Sequence, residues 1–207
     1  MLKQAALLCI TLAMLTACAS MDKSECLTAD WRTIGFEDGA KGKNETAISE
    51  YRQDCADHGV TPDLTAYRRG HREGAEQYCT HRNGFAVGRS GGSYQSSCPS
   101  ALEADFLSGF RDGQQLYQLQ RAVNAARSAF DKQQRLLTQL EQDIVVKTEL
   151  LVEDGLTRDE RIALLNEIED AKHLLIETAD YMPELEQNIN RAEQALARGE
   201  KNFAKYQ

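Results

Sequence analysis

The strongest constraint on the fold is a heptad repeat that begins at Gln114 and continues to the end of the chain. Its apolar residues recur in alternating steps of three and four, which places their side chains along one stripe of an α-helix. The first stripe consists of Leu116, Leu119, Val123, Ala126, Phe130, Gln133, Leu137, Leu140, Ile144, Lys147 and Leu151. Gln133 and Lys147 are its two polar members. The pattern predicts a long helix that packs against a second helix along this stripe.

The partner helix is predicted to follow a stop signal at Glu153-Asp154-Gly155. Thr157 and Glu160 have the spacing of a capping box, in which two side chains satisfy free backbone amides at the start of a helix. The second stripe consists of Leu164, Ile168, Ala171, Leu175, Thr178, Met182, Leu185, Ile189, Ala192, Leu196, Phe203 and Tyr206. Pro183 lies outside it and predicts a kink. We therefore expect residues 114–207 to form an antiparallel helical hairpin, a coiled coil.

Glycine pairs dominate the preceding region, residues 26–113. Four pairs are separated by three residues, and they are Gly35 with Gly39, Gly70 with Gly74, Gly84 with Gly88, and Gly109 with Gly113. Residues four apart share one face of a helix, so each pair predicts a strip without side chains. Glycine weakens a helix by about 0.5–1 kcal/mol relative to alanine, so its repetition requires a packing or ligand-binding reason. We expect close helix packing, with a ligand-facing groove as the alternative.

The first eighteen residues have the pattern of an export signal with a lipid attachment site. Lys3 precedes an apolar run from Ala5 to Ala17, which is too short to span a bilayer as a helix. The run ends in Leu15-Thr16-Ala17-Cys18, which resembles the lipobox of bacterial lipoproteins. That resemblance implies cleavage before Cys18 and acylation of Cys18, and two or three acyl chains would anchor the protein stably. Residues 1–17 are predicted to be a signal peptide and residues 18–25 the lipid anchor with a short tether.

The charge balance limits the classes of partner. After removal of residues 1–17, 23 basic and 32 acidic residues remain, for a net charge of −9. Nucleic-acid binding requires a basic surface, so we expect no nucleic-acid partner.

Ala19 and Ser20 follow the lipidated cysteine, and lipoproteins of this kind without an aspartate there usually go to the outer membrane. The predicted location is the periplasmic face of the bacterial outer membrane.

Four cysteines remain after Cys9 is removed with the signal and Cys18 is lipidated: Cys26, Cys55, Cys79 and Cys98. An even number in an oxidising compartment predicts two disulfides, for which three connectivities exist. Sequential pairing closes the shortest loops and is our prediction. Zinc binding is the alternative, because histidines lie two and three residues from two of the cysteines. The paired Cys-x-x-Cys spacing of structural zinc sites is missing, so we expect no metal and no cofactor.

Two local patterns suggest chemistry. Gly88-Arg-Ser90-Gly-Gly92 matches the nucleophile motif of serine hydrolases, but its flanks lack the required strand-turn-helix context, so we predict no enzyme and no catalytic residue. Residues 67–90 also contain a local excess of positive charge. Their arginines are Arg68, Arg69, Arg72, Arg82 and Arg89. Because the planar guanidinium group binds carboxylates and phosphates in a bidentate manner, these residues are candidates for anion binding, with a solvated surface as the alternative.

Residues 26–117 resemble a family of bacterial envelope lipoproteins known as domain of unknown function 2799. The residues that carry the resemblance are Cys26, Asp30-Trp31, Gly35, Asp38-Gly39, Cys55-x-x-x-Gly59-Val60, Tyr67-x-x-Gly70, Tyr78-Cys79, Asn83-Gly84, Gly88, Tyr94, Cys98-Pro99 and Phe106 to Tyr117. The resemblance implies a lipoprotein with a cysteine-bridged N-terminal domain and a helical tail. It implies no known activity.

These patterns together predict a mainly α protein: a small disulfide-bonded, glycine-rich domain of helices and loops over residues 26–113, followed by the hairpin over 114–207. A long paired helix is more typical of scaffolds than of catalysts. We expect a non-enzymatic envelope scaffold or protein-interaction module, anchored in the membrane through Cys18, whose coiled coil could also join copies of the chain. The alternative function is binding of peptidoglycan or another anionic glycan through the arginine-rich segment 67–90.

Overall fold

The structure is a computed structural model that describes residues 21–206, and within these residues all regular elements are helices. The predicted mainly α fold is therefore confirmed. The seven α-helices are α1 (Lys23–Thr28), α2 (Trp31–Ala40), α3 (Ile48–Ala56), α4 (Leu64–Tyr78), α5 (His81–Arg89), α6 (Ser100–Leu151) and α7 (Arg158–Asn202). Short 3-10 helices cover Glu45–Ala47 and Ala204–Tyr206. Among residues 21–206, no helix combines the length and the apolar character that a membrane span requires.

The signal peptide predicted over residues 1–17 and the lipidation site Cys18 lie outside the described residues. The predicted tether, residues 18–25, lies partly within them. Its last three residues begin α1, because Asp22 and Glu25 form a reciprocal capping box. The predicted tether therefore overlaps the first residues of α1.

The described residues form two compact units, and the first contains residues 21–84 and 93–109. Its core consists of Cys26, Trp31, Ile48, Cys55 and Tyr67. Helix α2 begins at the N-cap Asp30, whose carboxylate accepts hydrogen bonds from the amides of Arg32 and Thr33. Helix α4 begins in the same way at Asp63. These aspartates satisfy amides that have no partner within their helices.

Helices α2 and α4 pack directly on each other's backbones through two glycine pairs. A Cβ atom on Gly35 or Gly39 would lie less than 3.0 Å from the carbonyl oxygen of Tyr67 or His71 on α4. A Cβ on Gly70 or Gly74 would meet carbonyl oxygens of α2 equally closely. Close helix packing is therefore the role of these two pairs.

The second unit contains residues 85–92 and 110–206. Its helices α6 and α7 form the predicted hairpin, and the Thr157–Glu160 capping box starts α7 as expected. The predicted domain boundary between residues 113 and 114 falls inside α6, which begins at Ser100. Gly109 and Gly113 both lie within this helix. Gly113 is accommodated because it packs against the carbonyl of Phe85 on α5, where a Cβ would not fit.

The heptad stripes form the seam between α6 and α7. Each of the predicted stripe residues is buried or partly buried, including the polar Gln133, Lys147 and Thr178. Lys147 donates from the seam to Asp143 on its own helix at 2.8 Å and to Glu167 on α7 at 3.0 Å. Helix α7 continues through Pro183 as a single helix. The repeat therefore predicts which side chains are shielded along the whole hairpin.

Candidate functional site

The four cysteines form two disulfides, Cys26–Cys55 and Cys79–Cys98, each with its Cα atoms 5.6 Å apart. Sequential pairing is therefore confirmed. Both bonds lie in the first unit, and Cys55 is completely buried. Because their thiols are bonded to one another, these cysteines supply no thiolate to a metal ion. Their role in the structure is to brace the small core.

The candidate anion-binding arginines are all exposed, and they are divided between the two units. Arg68, Arg69 and Arg72 lie on α4, and Arg68 is paired with Glu45. Arg82 lies on α5 in the first unit. Arg89 belongs to the second unit, where it lines a cleft of about 80 Å³ with Tyr117 and Glu200. Spacing along the sequence did not predict this division.

Ser90, the serine of the Gly-x-Ser-x-Gly match, follows the end of α5. Its hydroxyl donates to the carbonyl oxygen of Val87 at 2.8 Å. A serine that caps the end of a helix differs from a nucleophile held on a turn between a strand and a helix. The local structure therefore lacks the feature that gives the motif its chemistry.

The first unit contains a polar cluster around the buried Asp38 that the sequence patterns did not indicate, formed by Asp38, Lys43, Tyr51 and Tyr67. Asp38 is only 3% exposed. One carboxylate oxygen accepts hydrogen bonds from the Tyr51 hydroxyl at 2.9 Å and the Tyr67 hydroxyl at 3.0 Å. The other oxygen accepts from the Lys43 ammonium at 2.9 Å. The charge of Asp38 on α2 is therefore satisfied from two other helices, α3 and α4, and from the loop that carries Lys43.

The electrostatics of the Asp38 cluster hold its members in fixed protonation states. The hydrogen bond to Asp38 raises the pKa of Lys43 above its usual value, so the ammonium stays charged. Burial, and then the neighbouring Asp38 charge, raise the pKa of Tyr67, so its phenol stays protonated. Groups locked in this way are poor at exchanging protons near neutral pH. The arrangement suits a structural cluster better than an acid–base site.

The second feature missed by the sequence patterns is a concentration of exposed apolar side chains in the half of the hairpin next to the turn between α6 and α7. Among residues 21–206, eleven large hydrophobic side chains are exposed, and nine of them lie within residues 145–181. They are Val145, Val146, Leu150, Val152, Ile162, Leu165, Leu174, Ile176 and Tyr181. Val152 is 79% exposed. Monomeric proteins rarely leave apolar side chains concentrated on one surface, and such surfaces usually mark interaction sites.

The segment that carries these apolar side chains is also acidic. Residues 145–181 contain ten acidic and four basic residues, a net charge of −6. Three of the basic side chains have partners within the hairpin: Lys147 with Asp143 and Glu167, Lys172 with Glu169, and Arg161 with the backbone carbonyls of Leu151 and Glu153. Residues 145–181 thus combine exposed apolar surface with an excess of carboxylates over basic groups.

The sequence does contain a signal for this surface, in apolar residues that lie outside the heptad stripes. The stripes account for every third or fourth residue, and Val145, Val146, Ile162 and Ile176 lie outside them. An apolar residue outside the seam of a two-helix pair has no partner within that pair. The Asp38 cluster has no comparable signal, since Tyr67 lies 29 positions from Asp38.

A known protein family matches the first part of the chain. Residues 30–115 match the family described as "Protein of unknown function (DUF2799)", which confirms the resemblance predicted from the cysteines and glycine pairs. The match includes Cys55, Cys79 and Cys98, begins after Cys26, and ends near the start of the heptad repeat. No curated protein and no solved structure matches the chain.

Proposed function

We propose that this protein is a non-enzymatic lipoprotein of the bacterial outer membrane that faces the periplasm and binds another envelope protein through residues 145–181. The single observation that carries the proposal is the concentration of exposed apolar side chains in that half of the hairpin. The hairpin already has a shielded seam, and these side chains lie outside it. A protein partner would remove them from water.

The rest of the chain supports this function in different ways. The lipobox motif at Cys18 provides a reason for attachment to the membrane. The disulfides and the Asp38 cluster stabilise the first unit but present no reactive group. The hairpin is the part of the described chain that offers an unfilled apolar surface, and protein docking is what such a surface does best.

Site-specific photo-crosslinking in intact cells tests the proposal. A photoreactive amino acid would be placed at Val146 or Leu174 in the hairpin and, as matched controls, at Leu27 or Leu64, which are exposed apolar positions of the first unit. We expect one defined envelope protein to be crosslinked at the hairpin positions and absent from the controls. Crosslinking of that protein from Leu64 but not from Val146 would overturn the assignment of the surface.

Glycan binding through segment 67–90 is the competing proposal, and it predicts a different result. Replacement of Arg68, Arg69 and Arg72 by glutamine would then abolish retention on isolated peptidoglycan. These three arginines share one helix, whereas Arg89 belongs to the second unit. Under the docking proposal, the same replacement leaves the hairpin crosslinks unchanged.

A further inference from the structure

The heptad register divides the exposed apolar side chains of the hairpin between its two sides. With Ile144 and Ile168 as position a of their helices, positions c and g lie on one side of the seam, and positions b and e lie on the other. The ion pair from Lys147 at position d to Glu167 at position g agrees with this register. Both helices are fully described in this region, so every residue of the two sides can be assigned.

The side formed by positions c and g is both apolar and acidic, and we call it the acidic face. Its exposed apolar side chains are Val146, Leu150, Leu174 and Tyr181. The same positions within helical residues 143–181 contain the carboxylates of Asp143, Glu160, Glu167, Asp170 and Glu177. They contain no basic residue, and Lys147 reaches this side from the seam. The acidic face therefore keeps a net charge of −4.

The side formed by positions b and e, the opposite face, is apolar without being acidic. Its exposed side chains are Val145, Ile162, Leu165 and Ile176. Its charged residues are Arg158, Glu169 and Lys172, and Glu169 is paired with Lys172 at 3.1 Å. The two faces have similar apolar content, so charge is what distinguishes them. The opposite face provides an internal control for the acidic face.

We propose that the acidic face binds a cationic amphipathic helix of the partner protein. This inference rests on the proposed docking function and names the chemistry of the partner. An apolar stripe flanked by carboxylates is complementary to a helix whose apolar stripe is flanked by lysine and arginine. Such a helix would add a third member to the α6–α7 pair, with its apolar residues on Val146, Leu150, Leu174 and Tyr181.

Charge argues against two other occupants of the acidic face. A second copy of the chain would place one net charge of −4 against another, and like charges at an interface oppose association. An anionic lipid surface would be repelled for the same reason. A cationic helix is the occupant for which both the apolar and the charged side chains of this face find partners.

Two designed peptides of the same apolar pattern test the assignment. Both are helices of about 18 residues with leucine at the seam positions, and the polar positions are lysine in one and glutamate in the other. Binding to the full mature chain would be measured by fluorescence anisotropy. We expect the lysine peptide to bind at least about tenfold more tightly than the glutamate peptide, with an affinity that falls as salt is raised.

Matched variants locate the binding site. Val146→Ser with Leu174→Ser should weaken binding of the lysine peptide by about tenfold, while Val145→Ser with Ile176→Ser on the opposite face should change it by less than about twofold. Asp170→Asn with Glu177→Gln should weaken binding, whereas Glu50→Gln with Glu76→Gln removes the same charge from the first unit and should not. Equal effects of the two charge pairs would reveal non-specific attraction and overturn the inference.

The outcomes separate the failure of this inference from the failure of the proposed function. Equal binding of both peptides, together with a hairpin crosslink in cells, would overturn the cationic partner and retain docking. Absence of any hairpin crosslink would overturn docking itself. Sedimentation of the protein alone as a dimer that Val146→Ser with Leu174→Ser dissociates would show that a second copy covers the acidic face, and this too would overturn the inference.

Discussion

The aromatic ring of Tyr78 lies directly against Gly42, so that a Cβ atom on Gly42 would lie within 2.5 Å of ring carbons. Gly42 also has a φ of +73°, a conformation that residues with a side chain rarely adopt. The second unit repeats this relationship between Gly91, with a φ of +77°, and Tyr117. Gly42 and Gly91 each come three residues after a helical glycine, Gly39 and Gly88. Tyr78 and Tyr117 each come four residues after another helical glycine, Gly74 and Gly113. The repeated element is therefore a pair of helices rather than a single helix.

Replacement of Gly35 by alanine should destabilise the first unit severely. The new Cβ would collide with the carbonyl oxygen of Tyr67, a backbone atom that can move only if α2 and α4 separate. We expect a loss of more than about 2 kcal/mol in the free energy of unfolding, measured by denaturant titration.

Gly199→Ala is the matched control for the Gly35 prediction. Gly199 is also a buried helical glycine, but a Cβ there would meet only the side-chain ends of Leu116 and Leu119, which can rotate away. Alanine also favours the helix, so we expect a change within about 1 kcal/mol. Equal losses at Gly35 and Gly199 would contradict the assignment of Gly35 to a backbone contact.

Removal of the Cys26–Cys55 disulfide by replacement of both cysteines with serine should lower the free energy of unfolding by about 3 kcal/mol. The bond joins residues 29 positions apart and therefore restricts the unfolded chain substantially. Cys79 and Cys98 are 19 positions apart, so their removal should cost a few tenths of a kcal/mol less on chain entropy alone. Denaturant titration of both variants would measure the difference, and an unchanged midpoint in either would contradict it.

The stability of the first unit should fall as the pH rises above about 10. The pKa values of Lys43 and Tyr67 are both raised in the folded state, so the folded protein binds more protons than the unfolded chain in that range. Their contribution is complete below the ordinary values of 10.0 for tyrosine and 10.5 for lysine, and it is lost as the pH rises towards the raised values. Thermal melts between neutral and alkaline pH would measure it.

Tyr67→Phe provides the comparison for the pH prediction. The variant loses one donor to Asp38 and should be less stable at neutral pH, but its stability should depend less steeply on alkaline pH. Identical pH slopes in the variant and the original protein would show that Tyr67 does not contribute to the alkaline transition.

Replacement of Lys147 by leucine should raise the melting temperature of the hairpin. Lys147 occupies a seam position, and its two ion pairs, with Asp143 and Glu167, involve partly exposed side chains. Such pairs contribute little, whereas leucine would complete the apolar stripe. Thr148→Leu, at an exposed neighbouring position, should leave the melting temperature unchanged in circular dichroism melts. A lower melting temperature for Lys147→Leu would show that the ion pairs dominate.

Replacement of Cys18 by alanine should release the protein from membranes. Without the cysteine there is no thiol to acylate, and the described helices offer no membrane span in its place. Fractionation of cells, followed by detection of the protein in the periplasmic fraction, would measure the release. Fractionation with the membrane in the absence of Cys18 would contradict the anchoring mechanism.

The seam of the hairpin could be predicted residue by residue because a helix pair imposes one period on the sequence. Even Lys147 and Gln133, which break the apolar pattern, are partly shielded where the register places them. The cysteine pairing could be predicted because loop length alone favoured one connectivity. Both inferences depend on positions that are close in sequence or regularly spaced.

The start of α6 could not be predicted because the heptad repeat begins only at Gln114 and carries no information on the residues before it. Gly113 disfavours a helix locally, yet it is helical because its missing side chain lets α5 approach. The Asp38 cluster was missed for a similar reason. The hydroxyls of Tyr51 and Tyr67 reach the same carboxylate oxygen of Asp38 only after three helices have packed together. No spacing along the sequence indicates these contacts.

The saturation of Asp38 by Lys43, Tyr51 and Tyr67 has a consequence for inheritance. A substitution of Asp38 alone would leave two phenol groups and an ammonium group without their shared acceptor. Loss of either tyrosine would leave the buried carboxylate with one hydrogen-bond donor fewer, which makes its burial less favourable. The four positions therefore behave as one heritable character. In descendants of a common ancestor, they should persist together or be replaced together by an apolar set.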